Sequence, residues 1–160
     1  MREGVSMNSK ILDTIKKGEG LKIEFKESKN KLNKDIYESI CAFLNRNGGE
    51  IFLGVKDDGE IIGVDKDSIV QMKKDFITVM NNGNKINPTY YLTIVEFVVQ
   101  SKIILYIFVP ESSQVHRCNG KIYDRNEDGD INITDHTNKL AALYQRKQTT
   151  YIENTVYPYV

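Results

Sequence analysis

Between Lys16 and Lys34 the chain carries seven lysines against Glu19, Glu24 and Glu27, a local excess of four positive charges in a chain whose formal net charge is zero. Such a cluster suits phosphate contacts, which position a nucleic acid without reading its sequence. Taken alone, it is also what an ordinary solvated face looks like. The neutral total argues against binding through bulk charge, so any nucleic-acid contact has to use a local patch.

Two further signals invite chemistry. Asp124, Asn126, Asp128, Gly129, Asp130, Ile131, Asn132 and Asp135 follow the spacing of a calcium loop, with Asp where the twelfth position normally has Glu. Against calcium, the residues before Asp124 have a strand pattern rather than a helical one. Gly48, Gly49, Gly54, Gly59 and Gly63 lack the G-x-x-x-x-G-K-[ST] spacing of a phosphate loop, so no nucleotide cofactor is expected. His116 and His136 have no partners at zinc-ligand spacing, and Cys41 and Cys118 form no C-x-x-C pair, so both cysteines read as free thiols.

The elements that position these residues follow from periodicity. Ile11, Leu12 and Ile15 predict a helix over Ser9 to Lys17 that stops at Gly18. Leu21 to Lys26 alternates as a strand, with Ile23 and Phe25 on one face and Lys22, Glu24 and Lys26 on the other. Asn33 is the expected cap of a helix whose apolar stripe is Ile36, Ile40, Phe43 and Leu44, ended by Gly48. A hairpin is expected from Glu50 to Gly63 around Asp57-Asp58-Gly59, then a helix capped by Asp67. Tyr90 to Val99 and Lys102 to Val109 predict a second hairpin, Lys121 to Arg125 a short strand, and Thr134 to Lys147 a closing helix, with the last dozen residues as a tail. The order implies an α+β fold, one mixed β-sheet with hairpins and about four helices packed on it, in a single domain over residues 1 to 148.

From Glu19 the sequence reads E-G-L-K-I-E-F-K-E-S, then C-A-F-L-N-R-N-G-G-E-I-F-L-G-V-K-D-D-G-E-I-I-G-V. This resembles the AlbA-like domain of the Schlafen superfamily over Glu24 to Ser28, Ala42 to Gly49 and Ile51 to Gly63. Beyond residue 63 Pro110, Tyr123, Arg125 and Gly129 match more loosely, and Asp124 stands where the family more usually has an apolar residue.

The resemblance implies a nucleic-acid-binding module, for DNA or RNA, of the bacterial transcriptional-regulator type. Its phosphate contacts would be Lys22, Lys26, Lys29, Lys31, Arg46, Lys56 and Arg125. It also implies an alternative, a metal-dependent endoribonuclease in which Glu19, Glu24 and Asp57 hold Mg²⁺ or Mn²⁺ and serve as the catalytic residues, although Lys56 replaces the acidic residue that often precedes that aspartate. A third implied reading is a protein-interaction domain, and a single-copy unit of this type is expected to pair as a homodimer. Glycine turns and surface salt pairs account for the same residues without any site.

At 160 residues, 40% hydrophobic and 28% charged, the chain is neither disordered nor fibrous. Its longest purely apolar run, Ile103 to Val109, is far short of the ~20 residues of a membrane span. Met1 to Lys10 lacks the apolar core of a secretory signal, so a reducing cytoplasm is expected.

Overall fold

Parallel pairing of two short strands around one buried helix sets the frame of the molecule. A computed structural model describes the backbone of residues 2–156 and the side chains of residues 8–149. Helix α1 (Arg2–Lys16) leads into β1 (Ile23–Lys26), α2 (Ile36–Asn45) and β2 (Gly49–Leu53). Strands β1 and β2 run parallel, with Glu24 opposite Ile51 and Lys26 opposite Leu53. A 3₁₀ turn, Lys66–Ser68, precedes α3 (Ile69–Met80). After β3 (Ile86–Asn87), strands β4 (Val95–Val99) and β5 (Lys102–Val109) complete a mixed sheet in the order β1-β2-β5-β4. Strand β6 (Arg117–Cys118) pairs with β3, β7 (Tyr123–Asn126) pairs with β8 (Gly129–Asn132), and α4 (Thr137–Val156) follows. The fold is therefore α+β with a mixed sheet, as the sequence predicts.

Helix α2 packs on one sheet face. Ile36, Ile40, Phe43 and Leu44 are fully buried there with Ile51, Leu53, Leu105 and Ile107, each large side chain contributing roughly 1.5 to 3 kcal/mol. The other face buries Phe25, Phe52 and Ile104 under Ile11 and Ile15 of α1. Gly48 ends α2 at φ +77° while its N–H donates to the Phe43 carbonyl at 2.8 Å. A Cβ on Gly49 would sit 2.6 Å from the Phe43 ring, so the two glycines serve helix stop and close packing.

Several boundaries differ from the sequence reading. Asn33 is not the side-chain cap of α2: its Oδ1 accepts a bond from Ser28 Oγ at 2.6 Å, and Asp35 occupies the cap position without a capping bond. The hairpin after β2 shrinks to one bridge, Val55 to Ile61, because β1 and β5 already occupy both edges of β2. Asp67 lies inside the 3₁₀ turn and caps no helix. Tyr90 to Ile94 stay outside β4, and residues 149–156 of the segment read as a tail continue α4, while 157–160 fall outside the described residues.

Candidate functional site

Glu24, on the face of β1 opposite Phe25, opens into a hollow at the C-terminal end of the parallel pair. Backbone N–H groups of Gly54 and Val55 donate to the Lys26 carbonyl at 2.8 and 3.2 Å, which carries the chain past β1 and delivers Asp57 to the same hollow. Glu19 is fixed at the rim because its Oε2 accepts the Phe25 N–H at 3.1 Å. The three carboxylates share a cavity of about 440 Å³ with Glu27, Asp35, Glu127 and Asp128, against which stand only Lys26 and Arg125. The hollow is strongly acidic.

Like charges in one place force a division of protons. Burial, then the hydrogen bond to Glu24 and the charges of Glu24 and Asp57, push the Glu19 carboxyl up to about 7, although the Phe25 N–H opposes this. Burial also works against ionised Glu24, but the bond from Glu19 and the charges of Lys26 and Arg125 outweigh it and hold that carboxyl below the usual range. Lys26 loses from burial and gains more from Asp35 and Glu24, so its ammonium is held more tightly than normal. Its Nζ lies 3.0 Å from Asp35 and 3.5 Å from Glu24.

Arg125 closes the floor. Its guanidinium is 1% exposed, donates to the carbonyls of Gly20 and Ile23, pairs with Asp130 at 2.7 Å and Glu24 at 3.5 Å, and lies 4.7 Å from the Phe43 ring centroid. Its donors are therefore engaged within the fold, where Arg125 acts as an internal brace, whereas the sequence reading places it among the phosphate contacts. Lys26 is likewise held between two carboxylates at the edge of the hollow. Lys56 is exposed beside Glu60, and Arg46 spends two donors on Asp124 at 3.0 and 2.9 Å. Lys22, Lys29 and Lys31 are exposed and, among the described residues, make no ion pair. Lys29 and Lys31 stand on the segment from β1 to α2, whose residues Glu27, Asn33 and Asp35 line the hollow, and Lys22 directly precedes β1.

The calcium-loop spacing does not form a calcium loop. Residues 123–132 fold as a hairpin, which sends neighbouring side chains to opposite faces, and Asp124 and Asp130 are taken by arginines. Glu127 and Asp128 at its tip reach the hollow instead, a role the acidic run 127–130 hints at only once β7 is placed beside α2.

For a divalent cation the donor types fit: three carboxylates offer the hard oxygens that Mg²⁺ and Mn²⁺ take, and their mutual repulsion favours a cation. Glu19, Glu24 and Asp57 would hold it, and a bound metal would supply an activated water and charge stabilisation at a phosphate. As arranged, Glu24 faces Lys26 and Arg125, and among the described residues no group of three metal-ligating side chains closes around one point.

An α+β unit with an acidic hollow at the end of a parallel strand pair, with exposed lysines flanking the first of those strands, is the class that this geometry defines. The Schlafen AlbA_2 family model matches residues 19–134, and the chain belongs to that family. The chain is 32% identical over 92 residues to a protein of Ureaplasma parvum, UU034, described as an uncharacterized ATP-binding protein; the match takes in 56% of this chain and 26% of the relative, so the chain spans about a quarter of it. The DIP2311 protein of Corynebacterium diphtheriae shares the fold with a TM-score of 0.52 and 16% identity, over 70% of this chain and 22% of that one. The N-terminal domain of a RecG-related protein of Nitrosomonas europaea aligns with a TM-score of 0.47 and 23% identity, over 65% of this chain and 72% of its own. No described helix is long and apolar enough to cross a membrane.

Proposed function

We propose that the chain is a nucleic-acid-binding module that grips phosphates through lysines on the rim of the acidic hollow. The observation that carries this reading is the set Lys22, Lys29 and Lys31, exposed and, among the described residues, without ion-pair partners, flanking strand β1 whose Glu24 and Lys26 line a concave site in a Schlafen AlbA_2 domain. Phosphates bind to the rim, and the carboxylates below keep the backbone from settling into the floor. Fluorescence anisotropy with a single-stranded RNA and a single-stranded DNA over a salt series tests it. Changing Lys22, Lys29 and Lys31 to Gln together should flatten the log K against log salt slope by roughly 0.7 for each phosphate that is no longer neutralised. A wild-type protein that retains neither strand at low salt ends the reading. Within it, the chain acts in the cytoplasm as part of a bacterial regulator, and light scattering at high concentration tests pairing with a second copy.

A second reading, a Mg²⁺- or Mn²⁺-dependent endoribonuclease, is favoured by one observation: Glu19, Glu24 and Asp57 line the same hollow. It requires Glu24 to exchange its cationic neighbours for the metal. Cleavage of RNA in Mn²⁺ that disappears in Asp57→Ala supports it; an intact RNA after prolonged incubation with wild type removes it.

A further inference from the structure

A second concave site lies on the other side of β7. Asp124, 4% exposed, grips Arg46 with both oxygens, at 3.0 Å from Nε and 2.9 Å from Nη2. It also receives Arg146 Nη2 of α4 at 3.2 Å, and that same nitrogen reaches the Asn45 carbonyl. Both arginine side chains are about one third exposed, at 32% and 34%, and both line a cavity of about 480 Å³ with Asn47, Gln145 and Lys147. A guanidinium has five donors, so with Asp124 taking the Nε–Nη2 edge of Arg46 and only Nη2 of Arg146, Arg46 keeps Nη1 and Arg146 keeps Nε and Nη1 for a ligand. A buried carboxylate thus fixes two forks in place before any ligand arrives, which removes much of the ordering cost of binding.

We infer that Arg46 and Arg146 form a phosphate subsite. The oxygens of a phosphate match the arginine fork in a way a carboxylate-rich floor cannot, and the three cations of this cavity outnumber Asp124 and Glu111 beside them. Lys147 supports the wall rather than the ligand, since its Nζ donates to the Leu44 and Ser112 carbonyls at 2.9 and 2.7 Å. A shallower depression shares Arg46 with this cavity and Glu127 with the acidic hollow, so one strand lying across it brings one phosphate to the arginines while the rest of the strand runs along the rim of the hollow. The phosphodiester as ligand rests on the nucleic-acid reading above; the anion site itself does not.

The test has two arms. In the first, the anisotropy of a single-stranded RNA is measured with Arg146→Gln and Arg46→Lys. Each is expected to weaken binding about tenfold by removing a forked, charge-assisted pair of hydrogen bonds, and Arg146→Gln to flatten the salt slope by roughly 0.7. In the second, the arginine Nε–H resonances of wild type are followed while inorganic phosphate or pyrophosphate is added, and those of Arg46 and Arg146 are expected to shift together. RNA binding left unchanged in both variants, with no resonance shift, overturns the subsite and leaves the lysine rim standing. Resonance shifts in a wild-type protein that retains no RNA remove the nucleic-acid reading and leave a site for free phosphate. Full binding by Arg46→Lys shows a point charge suffices and overturns the forked geometry.

Discussion

The acidic hollow and the arginine cradle are made of the same ion types in opposite proportion, and neighbouring residues of one strand supply both. Asp124 and Arg125 are adjacent in β7, so a period of two sends the carboxylate to Arg46 and Arg146 and the guanidinium to Glu24 and Asp130. In the hollow, carboxylates outnumber cations and one of them is driven to keep its proton. Around Asp124, cations outnumber carboxylates and each arginine keeps donors free. The contrast teaches that a neutral chain can present two sites of opposite character without any excess of charge overall, provided a strand partitions the charges between its faces.

The hardest blow to this partition is Arg125→Met, which preserves volume but removes the brace. It strands Asp130 and Glu24 near a desolvated floor and frees the carbonyls of Gly20 and Ile23, so urea denaturation should show a loss of about 3 to 5 kcal/mol. An unchanged midpoint would mean that the hollow does not depend on its buried cation. Asp124→Asn should cost less, about 2 kcal/mol, because the two arginines it releases are one third exposed and can turn to water. Calorimetry that ranks Asp124→Asn above Arg125→Met would reverse the comparison.

The sequence carried the frame further than the sites. Strand β1, helix α2 and the β4–β5 hairpin were legible because each buries a periodic stripe: Phe25 on β1, Ile36, Ile40, Phe43 and Leu44 on α2, and alternating residues on β5. Convergence of Glu19, Glu24 and Asp57 followed from the family motif, since parallel pairing of β1 and β2 places the ends of both strands together. The buried position of Arg125 has no local signal, since its neighbours Asp124 and Asn126 are both polar and only the docking of β7 on α2 buries it. Arg146 gave no local signal at all. Its partner Asp124 is 22 residues away and is shared with Arg46, a further 78 back, so the cradle exists only after three elements meet.

The finest distinction between the two sites is how the hollow answers to pH, and Glu19→Gln reads it. Glutamine is close in shape to the protonated carboxyl, keeps an oxygen for the Phe25 N–H and offers an N–H to Glu24, so the variant mimics protonated Glu19 at every pH. In wild type the Glu19 carboxyl rises to about 7 on folding from an ordinary value of 4.5, so between those pH values the folded state binds the extra proton. Stability from this group is then fully present below about 4.5 and is lost as pH rises through 7, by the linkage between proton uptake and folding. Glu24 acts in the opposite sense, since its lowered carboxyl contributes stability above the ordinary value that fades only as pH falls through its folded one. The urea midpoints of wild type and Glu19→Gln should therefore coincide near pH 4.5, separate in favour of the variant up to pH 7, and run parallel above it. A constant offset between wild type and Glu19→Gln across the range would show that Glu19 ionises freely, and that the hollow is no more crowded with charge than an ordinary surface.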